Sequence, residues 1–150
     1  MRVAVLAMLA MACGGTPEEP AEPLPGEAFA LEWGVSQGLW GEEALTVDGR
    51  GNARYHFKSE RGKGTVDTAR RLSAADLEPV RAATRGAAFC ALRSARDGID
   101  DEGRPTLTVT HGARRCSVTL WDGEWEERPE ARPAWDAMHA LIERMKAGTR

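Results

Sequence analysis

Residues 34–38 read Gly-Val-Ser-Gln-Gly, the spacing that in some hydrolases exposes a nucleophilic serine, here Ser36, on a sharp turn between a strand and a helix. That chemistry needs strands and helices in regular alternation, because they form the parallel sheet beneath the turn. The residues that follow, Leu39, Trp40 and Gly41, do not begin a helix, and the remaining chain lacks the alternation. We therefore interpret the motif as a plain turn and predict no catalytic residue.

Histidines and carboxylates offer two possible metal sites, but neither has the required spacing. His56, His111 and His139 fall in a hairpin strand, a turn and the last helix, so no pair has the spacing of zinc ligands. The acidic residues at 97–103 lack the pattern of an EF-hand calcium loop, because isoleucine and glutamate occupy its third and sixth positions. We expect a solvated acidic loop, no bound metal and no cofactor.

Two tryptophans, Trp121 and Trp125, lie in the charged stretch at residues 121–128. Exposed aromatic side chains with a polar rim are typical of partner-binding surfaces, so this stretch is a candidate recognition loop. The alternative is that Trp125 folds back beneath the last helix and meets Trp135, since tryptophan is highly buried on average. Trp40 could join either arrangement.

The N-terminus has the composition of an export signal. Residues 1–12 contain the positively charged Arg2 and an apolar run that is too short to span a bilayer, which is typical of a secretory signal peptide. Residues 9–14 (Leu-Ala-Met-Ala-Cys-Gly) resemble the lipobox of bacterial lipoproteins, although Ala10 stands where the family usually has leucine. The resemblance implies that Cys13 is diacylated and becomes the new N-terminus. An ordinary cleaved signal with an incidental cysteine is the alternative.

The residues after Cys13 favour a tether. Residues 14–26 contain four prolines, three glutamates and no aromatic residue. Such a segment cannot offset its ordering entropy by burial, so we predict an extended tether over residues 13–27. By resemblance to Gram-negative lipoproteins, the absence of aspartate at Gly14 favours the outer membrane. The protein would then contact the membrane through its N-terminal lipid, facing the periplasm or the cell surface.

The remaining cysteines, Cys90 and Cys116, form an even pair if Cys13 carries lipid. In an oxidising compartment an even pair predicts a disulfide. Cys116 alternates with Val118 and Leu120 along a predicted strand, which favours a core position. Two buried free thiols are the alternative, because unpaired cysteine behaves as a small hydrophobic residue.

Alternating apolar residues and turn chemistry predict an antiparallel sheet. Ser73 and Asp76 have the spacing of a capping box that opens a helix ending at Gly86, and Pro133 opens a final amphipathic helix. The order predicts a single α+β domain over residues 28–150, with about five to six strands and two helices packed on one face. The predicted strands lie at residues 29–35, 45–47, 53–58, 65–72, 105–110 and 114–121.

Composition excludes several classes of protein. The 150 residues are 42% hydrophobic, which argues against a collagenous or wholly disordered chain. The 20 basic and 23 acidic residues predict no strong field of either sign, so we expect no binding to nucleic acid.

The order of elements over residues 28–145, including the segments LTVDGRGNARYHF and RPTLTVTHGARRCSVTL, resembles small bacterial lipoprotein domains of unassigned function. This resemblance implies a non-catalytic interaction or structural domain held at the cell envelope, and not an enzyme. More remotely, the layout is similar to emfourin-type inhibitors of thermolysin-like metalloproteases, whose glycine-rich opening is matched loosely by Gly34 and Gly38. An inhibitor of a secreted or periplasmic protease, acting through residues 34–41 or 121–128, is therefore the alternative.

Overall fold

The computed structural model describes residues 28–36, 41–59, 64–97 and 102–148. Cys13, Trp40 and the expected signal peptide and tether lie outside the described residues. The described part is an α+β fold with a six-stranded antiparallel sheet, as predicted, and it has four helices where the sequence predicted two. No helix within these ranges is long and apolar enough to cross a membrane.

The six strands follow the predicted alternation closely. The sheet order is β4-β3-β2-β1-β5-β6, and every neighbouring pair is antiparallel. The weakly patterned fourth strand is confirmed, although it lies at an edge. The strands are β1 (Phe29–Ser36), β2 (Glu42–Val47), β3 (Asn52–Lys58), β4 (Thr65–Arg71), β5 (Thr106–His111) and β6 (Arg114–Thr119).

Two long helices and two short ones accompany the sheet: α1 (Ala74–Thr84), α2 (Ala87–Cys90), α3 (Asp122–Glu127) and α4 (Arg132–Ala147). The capping box of α1 is confirmed, with Ser73 and Asp76 each accepting from the other's backbone amide. The sequence predicted a loop where α3 lies. A helix of six residues is too short to show helical periodicity, so its pattern was not visible.

The pleat of the sheet places its large apolar side chains on one face. Trp33 pairs with Leu45 on β2 and Leu107 on β5, and all three point to the inner face, which the helices cover. Met138 and Ile142 of α4 are fully buried in the same core. The outward residues of each strand form the opposite face, which we call the outer face.

One end of the sheet carries the chain's entry into the fold. The amide of Gly112, in the β5–β6 turn, donates to the carbonyl of Ala28 at 2.8 Å. At the same end, the amide of Leu72, just after β4, donates to the carbonyl of Gly51 in the β2–β3 turn. Helix α1 crosses this end from Ser73 to Thr84. We call it the entry end, comprising Ala28, residues 48–51 and 70–86, residues 112–115, and Arg144 of α4, which pairs with Asp76.

Candidate functional site

The indole of Trp125 belongs to the core. Its side chain is fully buried, its ring stacks on Trp135, and its Nε1 donates to the carbonyl of Pro105 at 3.3 Å. Trp33 contacts both rings edge-on. The prediction that Trp125 binds a partner is therefore wrong, because burial in this cluster leaves no indole surface to offer. The structure has the alternative arrangement, in which Trp125 packs beneath the last helix.

Trp121 is half-buried at the start of α3. The guanidinium of Arg104 lies 5.2 Å from the centroid of its ring, a cation–π contact. With Trp125 buried and Trp40 outside the described residues, the described part of the chain does not assemble the tryptophan surface that the sequence predicted.

Glu124 explains why residues 121–128 fold inward. Its carboxylate is almost fully buried and accepts from Ala95 N at 2.7 Å, Ser94 Oγ at 2.8 Å and Trp121 N at 3.1 Å. Burial alone would raise the pKa of Glu124, but these hydrogen bonds and the charge of Arg128 outweigh it and lower the pKa. The carboxylate therefore joins α3 to the segment at residues 94–95.

A second pair of carboxylates attaches α3 to the segment just before β5. Asp122 accepts from Gly103 N at 3.0 Å, and Glu102 accepts from Gly123 N at 2.5 Å. Burial raises the pKa of Asp122, and the nearby charges of Glu102 and Glu126 act in the same direction. These carboxylates hold backbone amides, so their chemistry is structural.

The predicted disulfide is confirmed. Cys90 of α2 and Cys116 of β6 are bonded, with Cα atoms 5.7 Å apart. The bridge ties the short helix α2 to an edge strand of the sheet.

The three histidines lie apart from one another, and each has different neighbours. His56 lies 2.6 Å from Asp67 on the outer face, and His139 packs on Trp135. His111 lies 3.0 Å from the hydroxyl of Thr84, which is itself buried and donates to a backbone carbonyl. Among the residues described here, no group of three or more side chains could hold a metal ion.

Ser36 is the exposed last residue of β1. It is followed by residues 37–40, outside the described ranges, and then directly by β2. The serine motif requires a helix after this strand, whereas the next described element is the strand β2.

No described helix covers the outer face of the sheet. Its described residues include no tryptophan, tyrosine, phenylalanine, leucine, isoleucine or valine, in contrast to the inner face. Threonines are prominent instead: Thr46, Thr65, Thr106, Thr108, Thr110 and Thr119.

This face is concave where β4, β3, β2, β1 and β5 approach the entry end. The concavity has a volume of about 850 Å³, and its floor is made of small side chains such as Ala30, Thr46 and Thr108. Thr108 is only 9% exposed even though no helix covers it, which reflects the curvature. Glu32 and Arg54 stand on either side of Thr46 in one row across the strands.

Some hydroxyls of the outer face bond across strands, and others do not. Thr108 bonds to Ser117 at 2.5 Å, and Thr106 bonds to Thr119 at 2.8 Å. Within the described ranges, Thr46 and Thr110 form no such pair. Their hydroxyls can therefore donate to and accept from a bound molecule.

Part of this outer face could be predicted from the sequence. The alternation of Thr106, Thr108 and Thr110 with apolar residues indicated a solvent-facing side. The small residues of the other strands, such as Ala30 and Ala69, did not indicate a binding surface in the sequence, because only the curvature of the folded sheet brings them together.

Comparison with known proteins adds no relative: no protein-family model matches the chain, and no curated protein matches it either.

Proposed function

We propose that this chain is a lipid-anchored, non-catalytic binding module of the cell envelope, and that its partner binds the outer face of the sheet. The observation that carries the proposal is the concavity of about 850 Å³, which no described helix covers and which lies within the size range of ligand sites. A sheet face without large apolar residues does not need covering for stability. The face is concave, and the hydroxyls of Thr46 and Thr110 have no cross-strand partner among the described residues. These two features favour a role in binding another molecule.

The partner that best fits this surface is an extended, polar polypeptide segment. The concavity crosses five strands, a distance of about 19 Å at the usual spacing, which about six extended residues span. Thr46 and Thr110 offer hydroxyls to peptide groups, and the lining has no aromatic ring on which a sugar or base could stack. Glu32 and Arg54 favour a segment with a basic and an acidic side chain.

The anchor is supported by the N-terminal sequence. Arg2 and the apolar run before Cys13 favour export, and the small residues preceding Cys13 resemble a lipobox. Residues 13–27 supply the length and the proline content of a tether. The same resemblance favours the outer membrane, facing the periplasm or the cell surface.

A non-catalytic role is supported by the chemistry of the described side chains. The hydroxyl of Thr84 is buried beside His111, and the carboxylates of Glu124 and Asp122 accept backbone hydrogen bonds. The alternative function, inhibition of a protease, is not supported by residues 121–128, because α3 is packed against the core.

Site-specific crosslinking tests the binding surface. A photo-crosslinking amino acid replaces Thr46 on the outer face, or Ala140 on the exposed side of α4 as a control, in cells that produce the full chain. We expect a discrete protein adduct from position 46 and none from position 140. Arg54→Glu should remove most of the adduct at position 46, because it reverses the charge offered to the partner. The matched variant Arg132→Glu on α4 should leave it unchanged.

Equal adducts at positions 46 and 140 would contradict the proposal, as would a position-46 adduct that Arg54→Glu does not weaken. The absence of any adduct at position 46, in cells where the chain is membrane-associated, would also overturn it.

A further inference from the structure

Charge is strongly segregated along the sheet, although the composition is nearly balanced. The entry end carries eight arginines against three acidic residues, Asp48, Asp76 and Glu78. The near-balanced composition predicted no strong field of either sign, but folding brings arginines from four separate segments together at this end. The arginines of the entry end, with Arg144 paired to Asp76, are Arg50, Arg70, Arg71, Arg81, Arg85, Arg114, Arg115 and Arg144.

The rest of the described fold has the opposite excess. Apart from Glu32 and Arg54 of the concavity, it carries twelve acidic residues against seven basic ones. Many of the acidic residues lie in and around α3, including Asp122, Glu126 and Glu127. The described part of the protein therefore has an electrostatic dipole, positive at the entry end and negative at the other.

Most arginines of the entry end are exposed, whereas Arg81 is half-buried. Arg115 and Arg85 have 62% and 56% of their side chains exposed, although Arg115 pairs with Glu32 at 3.1 Å and Arg85 pairs with Glu78 at 3.9 Å. Arg114 bonds to the carbonyl of Arg85, and neither Arg114 nor Arg50 has a carboxylate within ion-pair distance in the described ranges. The positive charge is thus only partly neutralised by the protein itself.

We propose that the entry end binds the anionic headgroups of the membrane to which the chain is tethered. The inference rests on the proposed anchor, which brings this membrane close. Two observations support it: the excess of arginines, which complements an anionic surface, and the position of Ala28, through which the N-terminal segment leaves the fold among those arginines. Docked in this way, the acidic end points away from the membrane, and the outer face stands beside it, open to a partner.

Vesicle sedimentation tests this inference. The protein is the chain of residues 14–150, which retains every described residue but lacks the lipid and the apolar leader. The glutamates of residues 14–27 remain in this protein, so the measured binding includes any repulsion between them and the anionic lipids. The vesicles contain phosphatidylcholine and phosphatidylglycerol at about three to one, or phosphatidylcholine alone.

We expect binding to the anionic vesicles only, and a decline as salt is raised. The double variant Arg50→Glu, Arg85→Glu should weaken binding at least tenfold, since each charge near an anionic surface contributes about fivefold. The control Lys58→Glu, Arg104→Glu makes the same change in net charge at the opposite end and should leave binding nearly unchanged.

Binding to both vesicle types alike, no binding to either, or equal weakening by both double variants would overturn the inference. Intact mass of the chain isolated from cells reports the anchor separately. An unlipidated chain thus refutes the anchor, whereas a lipidated chain whose domain ignores anionic vesicles refutes only membrane docking.

Discussion

The indoles of Trp125 and Trp135 stack with their ring centroids 6.3 Å apart, and Trp33 contacts both from the sheet. The stack joins α3, α4 and β1 at one place. A short helix in a charged segment is thereby held against the core, on the side of the sheet opposite the outer face.

Replacing Trp125 by alanine should lower the free energy of unfolding by about 3–5 kcal/mol, because it removes a fully buried aromatic side chain and leaves a cavity. Denaturant unfolding measures the change. Trp121→Ala is the matched control, since its ring is only half-buried, and should cost clearly less. Equal small losses for both variants would contradict the packing described for α3.

Breaking the disulfide with Cys90→Ser and Cys116→Ser should destabilise the domain by about 3 kcal/mol, because the bridge closes a loop with a sequence separation of 26 residues. Unfolding is compared with and without reductant. Reductant should lower the midpoint of the wild type and leave that of the double variant unchanged. Two free thiols found on labelling the denatured, unreduced protein would refute the bond.

Glu124→Gln should lower the free energy of unfolding by about 1–3 kcal/mol at neutral pH, since buried donors lose a charged acceptor. The pKa of Glu124 is lowered in the folded state, so its contribution is complete above the ordinary value of 4.5 and is lost as pH falls through the folded pKa. The stabilities of wild type and variant should therefore converge on acidification. A difference that is independent of pH would contradict this role.

Asp122→Asn should act in the opposite direction. The pKa of Asp122 is raised above 3.8 in the folded state, so ionisation costs stability as pH rises from that value through the folded pKa. Asparagine removes this cost and can still accept from Gly103. We expect the variant to match the wild type at low pH and to exceed it slightly at neutral pH; a variant less stable than wild type at neutral pH would rule this out.

Local patterns predicted most of the fold. The alternation in β1, β5 and β6 and the capping box at Ser73 depend only on neighbouring residues, and the structure has them where the sequence placed them. Helix α3 was not predicted, because its stability depends on Glu124 reaching Ser94 and Ala95, about thirty residues away in the chain.

The candidate site was only partly predictable for a related reason. The outward threonines of β5 were visible in the sequence, but the curvature that makes the face concave is a property of the whole sheet. The charge of the entry end was hidden by the near-neutral composition, because Arg50, Arg85 and Arg114 come together at one end of the sheet only after folding.

The central claim, an anchored binding module, depends first on Cys13, and the intact mass of the mature chain isolated from membranes tests it most directly. The account predicts a chain that begins at Cys13 and carries the added mass of a diacylglycerol. It also predicts that Cys13→Ser abolishes the addition and releases the protein from the membrane fraction. A mature chain with an unmodified Cys13, or one that begins at another residue, would contradict the account.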